Sequence, residues 1–432
     1  MAKPVGRRRP GRVLLALLLA LPVNGHGEDL AEAWAAAIAA DRRFSAVRHV
    51  TESARASVSA AEGARLPRLS LEGGYTALDN VPTNRVTIAP FPTIEVPQSV
   101  DRYWSYQASV TLPLYTGGRI SRGIDAARAG FEAQSADESR ALADLKLEVA
   151  GAYLDVLRAQ RAREVTERTT ESLASHAADV QTRFAKGLVA RNQLLAAQVA
   201  LADARQRTIR AQNRLDLAQA AYNRLLGRPL TAPVALTEPE PRPHQEDIET
   251  LAARALERRP ELRRVGQQSR ALHHQSAAER AATRPQVEFS LGYLYQENPY
   301  VVEEGITAAR LGLRWDLYDG GVARQQAAAT AERATALAEE RADVATRIGL
   351  QVREAWLDEQ ETEKRLPVAR EAVDQAEEGL RVARARYREG LSTNTEVLDA
   401  ETQRTVSYVN YYGAVYDAVL ADLRVRHAVG EL

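Results

Sequence analysis

Two hydrophobic periods alternate along this chain, and the segments that carry them recur in a fixed order. Four stretches of about ten residues read with period two, as half-apolar strands do. In Arg68–Leu78, Leu69, Leu71, Tyr75 and Ala77 share one face, and Arg68, Ser70, Glu72 and Thr76 share the other. In Tyr103–Leu114, Trp104, Tyr106, Ala108, Val110, Leu112 and Leu114 oppose Ser105, Gln107, Ser109 and Thr111. Val287, Phe289, Leu291, Tyr293 and Tyr295 oppose Gln286, Glu288 and Ser290. Ala309, Leu311, Leu313, Trp315 and Leu317 oppose Arg310, Arg314 and Asp316. Strands are predicted at about 68–78, 103–115, 286–296 and 307–318.

Elsewhere the period is helical. Nothing interrupts it between Gly118 and Gly187, so a long helix is predicted over 119–186, about 100 Å at 1.5 Å per residue. A second is predicted over 322–389, with a kink at Pro367. The returning segments, Asn192–Leu226 and Thr393–Val429, are about half as long. So are the leading segments, Asp29–Gly63 and Asp247–Thr283. Two such helices end to end match one long helix, which points to a wall of uniform height. Leu194, Ala197, Leu201, Ala204, Thr208, Ala211, Leu215, Ala218, Tyr222 and Leu225 step by three and four, the spacing of a coiled-coil seam. Leu195, Val199 and Ile209 form a second apolar edge, so that helix can have a neighbour on each side.

The order repeats. Pro67 aligns with Pro285 and Gly74-Tyr75 with Gly292-Tyr293 at a constant shift of 218 positions. Gly117-Gly118 aligns with Gly320-Gly321, Tyr153-Leu154-Asp155 with Trp356-Leu357-Asp358, and Gly227 with Gly430 at a shift of 203. The change of shift falls in the loop between the two strands of each copy, so the loop of the first copy, Asp79–Asp101, is longer than Gln296–Ile306. The boundaries are 28–227 for the first copy and 247–432 for the second. Residues 228–246, with five prolines, form an extended linker.

The N-terminus carries Lys3, Arg7, Arg8, Arg9 and Arg12, then the apolar run Val13–Leu21, then small residues. A secretory leader is expected over 1–27, with cleavage after Gly25 or Gly27. No later segment approaches the apolar length of a membrane helix, so membrane entry would require a closed β-barrel. Alternation alone also fits a half-buried sheet in a soluble domain. Aromatic residues near the strand ends, the leader and the absence of an ordinary-length helix partner favour the membrane. Four strands cannot close a barrel, and lipid tolerates no open edge, so subunits must share one.

The 432 residues contain 57 basic and 57 acidic side chains and no Cys. Zero net charge gives no argument for nucleic acid. The lack of Cys excludes disulfides, thiol nucleophiles and thiolate metal sites. No phosphate loop or dinucleotide fingerprint opens a helix after a strand. His273 and His274 are adjacent and diverge on a helix. No enzyme, cofactor or metal site is expected.

Taken in order and twice over, these features resemble the TolC-like outer membrane efflux family. The resemblance rests on the duplicated strand–strand–long-helix layout, Leu66-Pro67, the Tyr-x-Gly-Gly turns, and the tip motifs Arg183-Phe184-x-x-Gly187-Leu188 and Arg386-Tyr387-x-x-Gly390-Leu391. It implies an α+β membrane protein: a homotrimer sharing a 12-stranded β-barrel and a 12-helix α-barrel, the barrel in outer-membrane lipid and the helices forming a periplasmic tunnel. It implies passive conduction for a periplasmic adaptor and an inner-membrane pump, in drug or metal efflux or in protein secretion. The turns Gly187-Leu188 and Gly390-Leu391 would form the entrance and dock the adaptor, with Tyr387 at the constriction and Glu396 and Asp399 as an acidic ring. Where the family's prototype locks its gate with an aspartate and an arginine, this chain has Gln193 and Ser392, so closure is expected to rest on packing and on Tyr387. The rival reading is a soluble periplasmic coiled-coil adaptor or scaffold.

Overall fold

The computed structural model describes residues 27–242, 244 and 246–432. The expected leader lies, but for its last residue, outside the described residues.

The strands form one antiparallel sheet that both copies build. β1 (Arg68–Ala77) pairs with β4 (Arg102–Tyr115), β4 with β5 (Gln286–Gln296), and β5 with β6 (Gly305–Arg314). Residues directly opposed across antiparallel strands share a face. Leu71 faces Ala108, and Ala108 faces Tyr293; Leu112 faces Phe289, and Phe289 faces Leu311. The register therefore gathers all four apolar stripes on one side. Nothing among the described residues covers that side: Leu69, Leu71, Leu311 and Leu313 are 68–78% exposed. Tyr75, Trp104, Tyr106 and Tyr295 form a chain of ring contacts toward its loop end, with centroids 5.0–6.3 Å apart.

Two details depart from the alternation pattern. β6 stops at Arg314, because its neighbour β5 begins at the residue paired to it, Gln286, and offers no further partner. Trp315 instead donates its indole N–H to the Thr283 carbonyl at 3.1 Å. The long loop of the first copy folds into a small hairpin of its own, β2 (Thr83–Val86) with β3 (Ile94–Pro97), tied by Arg85–Glu95 at 3.1 Å.

The long helices are α3 (Arg119–Ala185) and α7 (Val322–Arg388), each 67 residues or about 100 Å. α7 runs on as one helix through Pro367. α4 (Arg191–Leu225) and α8 (Asn394–Val429) return about half that length. The leading segments are each broken in two. α1 (Leu30–Ala40) gives way to α2 (Arg42–Gly63) at Asp41, whose carboxylate caps α2 through Phe44 N–H at 2.8 Å. α5 (Ile248–Arg258) gives way to α6 (Pro260–Arg280) at Arg259, held extended before a proline that supplies the first helical position.

Helix neighbours follow a single order. Near the sheet, α3 lies between α2 and α6, and α7 packs on α6. Toward the far tip, α3 lies between α4 and α8, and α7 packs on α8. Each level of the chain is thus four elements wide. In place of one core there are three separate clusters, and the largest surrounds Tyr153, Tyr222 and Tyr416 at mid-height. There the linker is pinned down. The Tyr153 hydroxyl lies 2.8 Å from the Glu28 carbonyl and 2.5 Å from that of Thr237. Glu28 pairs with Arg228 at 2.6 Å, and Glu238 accepts from Arg161 at 2.6 Å and from Tyr416 at 2.9 Å.

Leu251 is fully buried in the second cluster, against Val265, Ile348 and Val425. Leu251→Ala is expected to remove about 2–5 kcal/mol, read as a lower urea midpoint for loss of helical circular dichroism.

Candidate functional site at the helix tips

Both long helices end in the same turn. Lys186 and Glu389 cap them, and Gly187 and Gly390 follow with φ of 73° and 76°. Gly187 N–H donates to Phe184 O and Leu188 N–H to Arg183 O, each at 2.9 Å. Gly390 N–H donates to Tyr387 O at 3.1 Å and Leu391 N–H to Arg386 O at 2.8 Å. This is the Schellman pattern, which needs a left-handed residue at the glycine. The two leucines after the glycines stand out into solvent, 67% and 69% exposed.

The returning helices start differently. α8 opens with a capping box, in which Thr393 accepts from Glu396 N–H and Glu396 reaches back to Thr393 N–H. Ser392 also donates to Glu396 at 2.8 Å. These bonds, the Ser392 hydroxyl foremost, hold the Glu396 carboxyl below its usual range. Asp399, one turn on, is exposed and makes no side-chain hydrogen bond or ion pair within the described residues. α4 starts at Ala190 with no side-chain cap.

Tyr387 lies inside the subunit, only 6% exposed, packed with Ala177, Val180, Leu194, Leu380 and Val397. Its ring sits edge-on to His176 at 5.2 Å, and the Arg183 guanidinium covers it at 5.2 Å. Its hydroxyl is buried without a partner, and burial pushes the phenol pKa up. Gln193 and Ser392 do not bond to each other; Gln193 O accepts from Asn394 at 3.3 Å.

What joins α3 to the α7/α8 pair is a set of polar side chains in an otherwise apolar seam. Thr169 and Thr405 share a hydroxyl hydrogen bond at 2.8 Å. Ser172 donates to Glu401 at 2.6 Å. Glu401 is 1% exposed and pairs with Arg384 at 3.0 Å and Arg404 at 2.6 Å. His176 Nε2 meets Asn394 Oδ1 at 2.7 Å. Nearest the turn, Arg183 donates to Arg388 O at 2.8 Å. Residues 169, 172, 176 and 183 fall on one face of α3. Sequence reading passed over this set, although 394, 397, 401 and 405 keep seam spacing and polar residues at such positions are the available signal.

With this geometry established, comparison with known proteins is direct. The outer membrane efflux protein family matches residues 34–228 and 251–431. The chain belongs to that family, an assignment the two-copy fold and twin tips already suggested. It is similar to Protein CyaE of Bordetella pertussis, 29% identical over 221 residues, covering 49% of this chain and 46% of CyaE. The chain thus spans about half the length of the curated relative it matches. In fold it is similar to the outer membrane protein VceC of Vibrio cholerae, with a TM-score of 0.77, 17% identity, and 93% and 96% of the two chains covered. It is likewise similar to the Campylobacter jejuni CmeC outer membrane channel, with a TM-score of 0.78, 13% identity, and 93% and 85% covered.

Burial is the main reason the His176 pKa is lowered, against the raising effect of its bond to Asn394. Arg384 also lowers it, and Asp179 and Glu401 raise it. A histidine held neutral by the fold contributes fully above the unfolded value of 6.5. As pH falls below that value, the unfolded chain takes up the proton first and the tip loses stability. Hydrogen-exchange protection in 173–180 and 394–401, corrected for the intrinsic pH dependence of amide exchange, is expected to fall from about pH 7 to pH 5. His176→Gln should flatten that dependence.

Proposed function

We propose that the chain is one subunit of a homotrimeric outer-membrane duct, which passively carries substrate from a periplasmic adaptor and an inner-membrane pump to the cell exterior. One observation carries this reading. At every level, one edge belongs to the first copy and the other to the second: β1 and β6 in the sheet, α2 and α7 below it, α4 and α7 toward the tip. Joining unlike edges gives a head-to-tail contact, which closes into a ring when the rotation permits. Three copies of the four-stranded sheet make twelve strands, and four helices per level make a twelve-helix tunnel. The apolar side chains on the helix edges support the joint. Leu195, Val199, Ile209 and Leu217 on α4 are 49–70% exposed, and Leu350, Leu357 and Val368 on α7 are 50–66% exposed.

In this reading the apolar sheet face meets lipid, with its aromatic residues at the interfaces. The loops 79–101 and 296–306 face outward, and the helix tips form the periplasmic entrance. Leu188 and Leu391 beside Gly187 and Gly390 offer the adaptor an apolar knob per turn. Glu396 and Asp399 of three copies place six carboxylates at the mouth, a ring that favours cations. Tyr387 acts at the constriction as the packed residue that holds the α7/α8 pair against α3. The Glu401 cluster supplies the ionic hold that Gln193 and Ser392 cannot. The soluble-adaptor alternative leaves the bare sheet face and both strand edges without a role.

The decisive measurement is membrane fractionation followed by native mass spectrometry in detergent. Outer-membrane fractionation and a mass of three chains are expected; a stable monomer in plain buffer defeats the duct. In planar bilayers, Tyr387→Ala and Glu401→Gln should each raise single-channel conductance, and unchanged conductance would remove them from the gate. Glu396→Gln with Asp399→Asn should weaken cation preference, seen as a reversal potential moved toward zero.

A further inference from the structure

Away from the tip and the sheet, one cluster of ligating side chains has no part in forming a duct. His244 comes from the linker, Glu359 from α7 and Asp422 from α8, and each places one donor atom within 4.8 Å of the others. His244 Nδ1 lies 3.0 Å from Glu359 Oε1 and 3.7 Å from Asp422 Oδ1. An ion with tetrahedral bonds of 2.0–2.2 Å sets its donors about 3.4 Å apart. The two observed separations bracket that spacing.

Burial makes the cluster unusual. Glu359 is 2% exposed and Asp422 5%. Among the described residues, Glu359 Oε2 has no hydrogen-bond partner, although an unpaired buried carboxylate oxygen is costly. The groups around the pair supply little compensation. Arg426 reaches Asp422 Oδ1 at 2.9 Å, and His244 N–H donates to Glu359 Oε1 at 3.1 Å. Among the described residues, no donor reaches Oε2. The imidazole is the more open member, with its side chain 14% exposed, so solvent reaches the cluster from the linker side.

We propose that His244, Glu359 and Asp422 form a binding site for a divalent cation of the zinc type. One imidazole and two carboxylates are borderline-to-hard donors, which suit Zn²⁺ or Mn²⁺ and not a soft monovalent metal. Three protein ligands leave a fourth position for water on the open side. The bound ion engages the Glu359 carboxylate and ties the linker between the copies to α7 and α8. Because the three ligands meet only in the folded chain, binding stabilises this junction by mass action.

The test uses the full chain, purified in detergent and freed of metal with a chelator. Calorimetric titration with Zn²⁺ is expected to show one high-affinity site per chain. His244→Ala and Glu359→Gln should each weaken that site at least about tenfold. Circular dichroism and native mass should stay unchanged in His244→Ala, whose residue lies in the linker, so this variant carries the test if Glu359→Gln fails to fold. Co²⁺ in place of Zn²⁺ should give visible d–d absorption that His244→Ala alters. Absence of a high-affinity site in the unsubstituted chain overturns the proposal. So does uptake that both variants leave intact. A third overturning result is a lower melting temperature in the variants with zinc making no difference to any form, because the cluster is then an ion-pair clamp only.

Discussion

Hydrocarbon offers no water to a backbone amide, so every strand that enters it must have a partner on both sides. The main sheet of this chain has four strands, and among the described residues the outer sides of β1 and β6 have no partner strand. That deficit governs the rest of the architecture. In the proposed duct neighbouring copies complete the sheet, and the helices below it follow the same pattern, with first-copy edges on one side and second-copy edges on the other. A duplicated unit satisfies this constraint economically. Each copy brings one hairpin and one long helix, and in the proposed ring the junction inside a subunit, β4 on β5 and α3 on α6, is the counterpart of the junction between subunits.

The tip works under a different balance. Burying Glu401, His176, Asn394, Thr169 and Thr405 in a helix seam costs desolvation that leucine would avoid, and the partners these groups find recover much of it. What such groups add is register, because each finds its partner at only one relative setting of α3 and α8. The seams at mid-height are closed differently: Tyr153, Tyr222 and Tyr416 sit in a dense apolar cluster, with hydroxyls bonded to Glu28 and to Thr237 and Glu238 of the linker, and burial raises the pKa of all three phenols.

Much of this was legible in the sequence, and for local reasons. Period-two alternation located β1, β4 and β5 because one face of each is uniformly apolar, and glycines at 118, 187, 321 and 390 bracket α3 and α7. Three features were less legible. The end of β6 depends on where its neighbour begins, which alternation at Trp315 and Leu317 does not reveal. The breaks at Asp41 and Arg259 are single-residue events within helical composition, although Pro260 marks the second. The polar seam and the His244–Glu359–Asp422 cluster join residues as much as 236 positions apart, so only the fold shows which polar side chains meet. Conversely, the tip residues named from the tip motifs lie together at one end of the chain, but Tyr387 is enclosed within the subunit, which sequence position alone did not reveal.

Equal helix length has a consequence for how such a chain can change. α3 and α7 contain 67 residues each, and Arg183 near the end of one bonds to the Arg388 carbonyl at the end of the other. Removing one heptad from a single copy would shorten that hairpin by about 10 Å and leave a notch in the rim. In the proposed ring, a partner sealing against the rim would leak at every repeat of the notch. Any lengthening or shortening that keeps a seal must occur twice, once per copy and in the same whole number of heptads, so the two halves of the gene are bound to drift in height together.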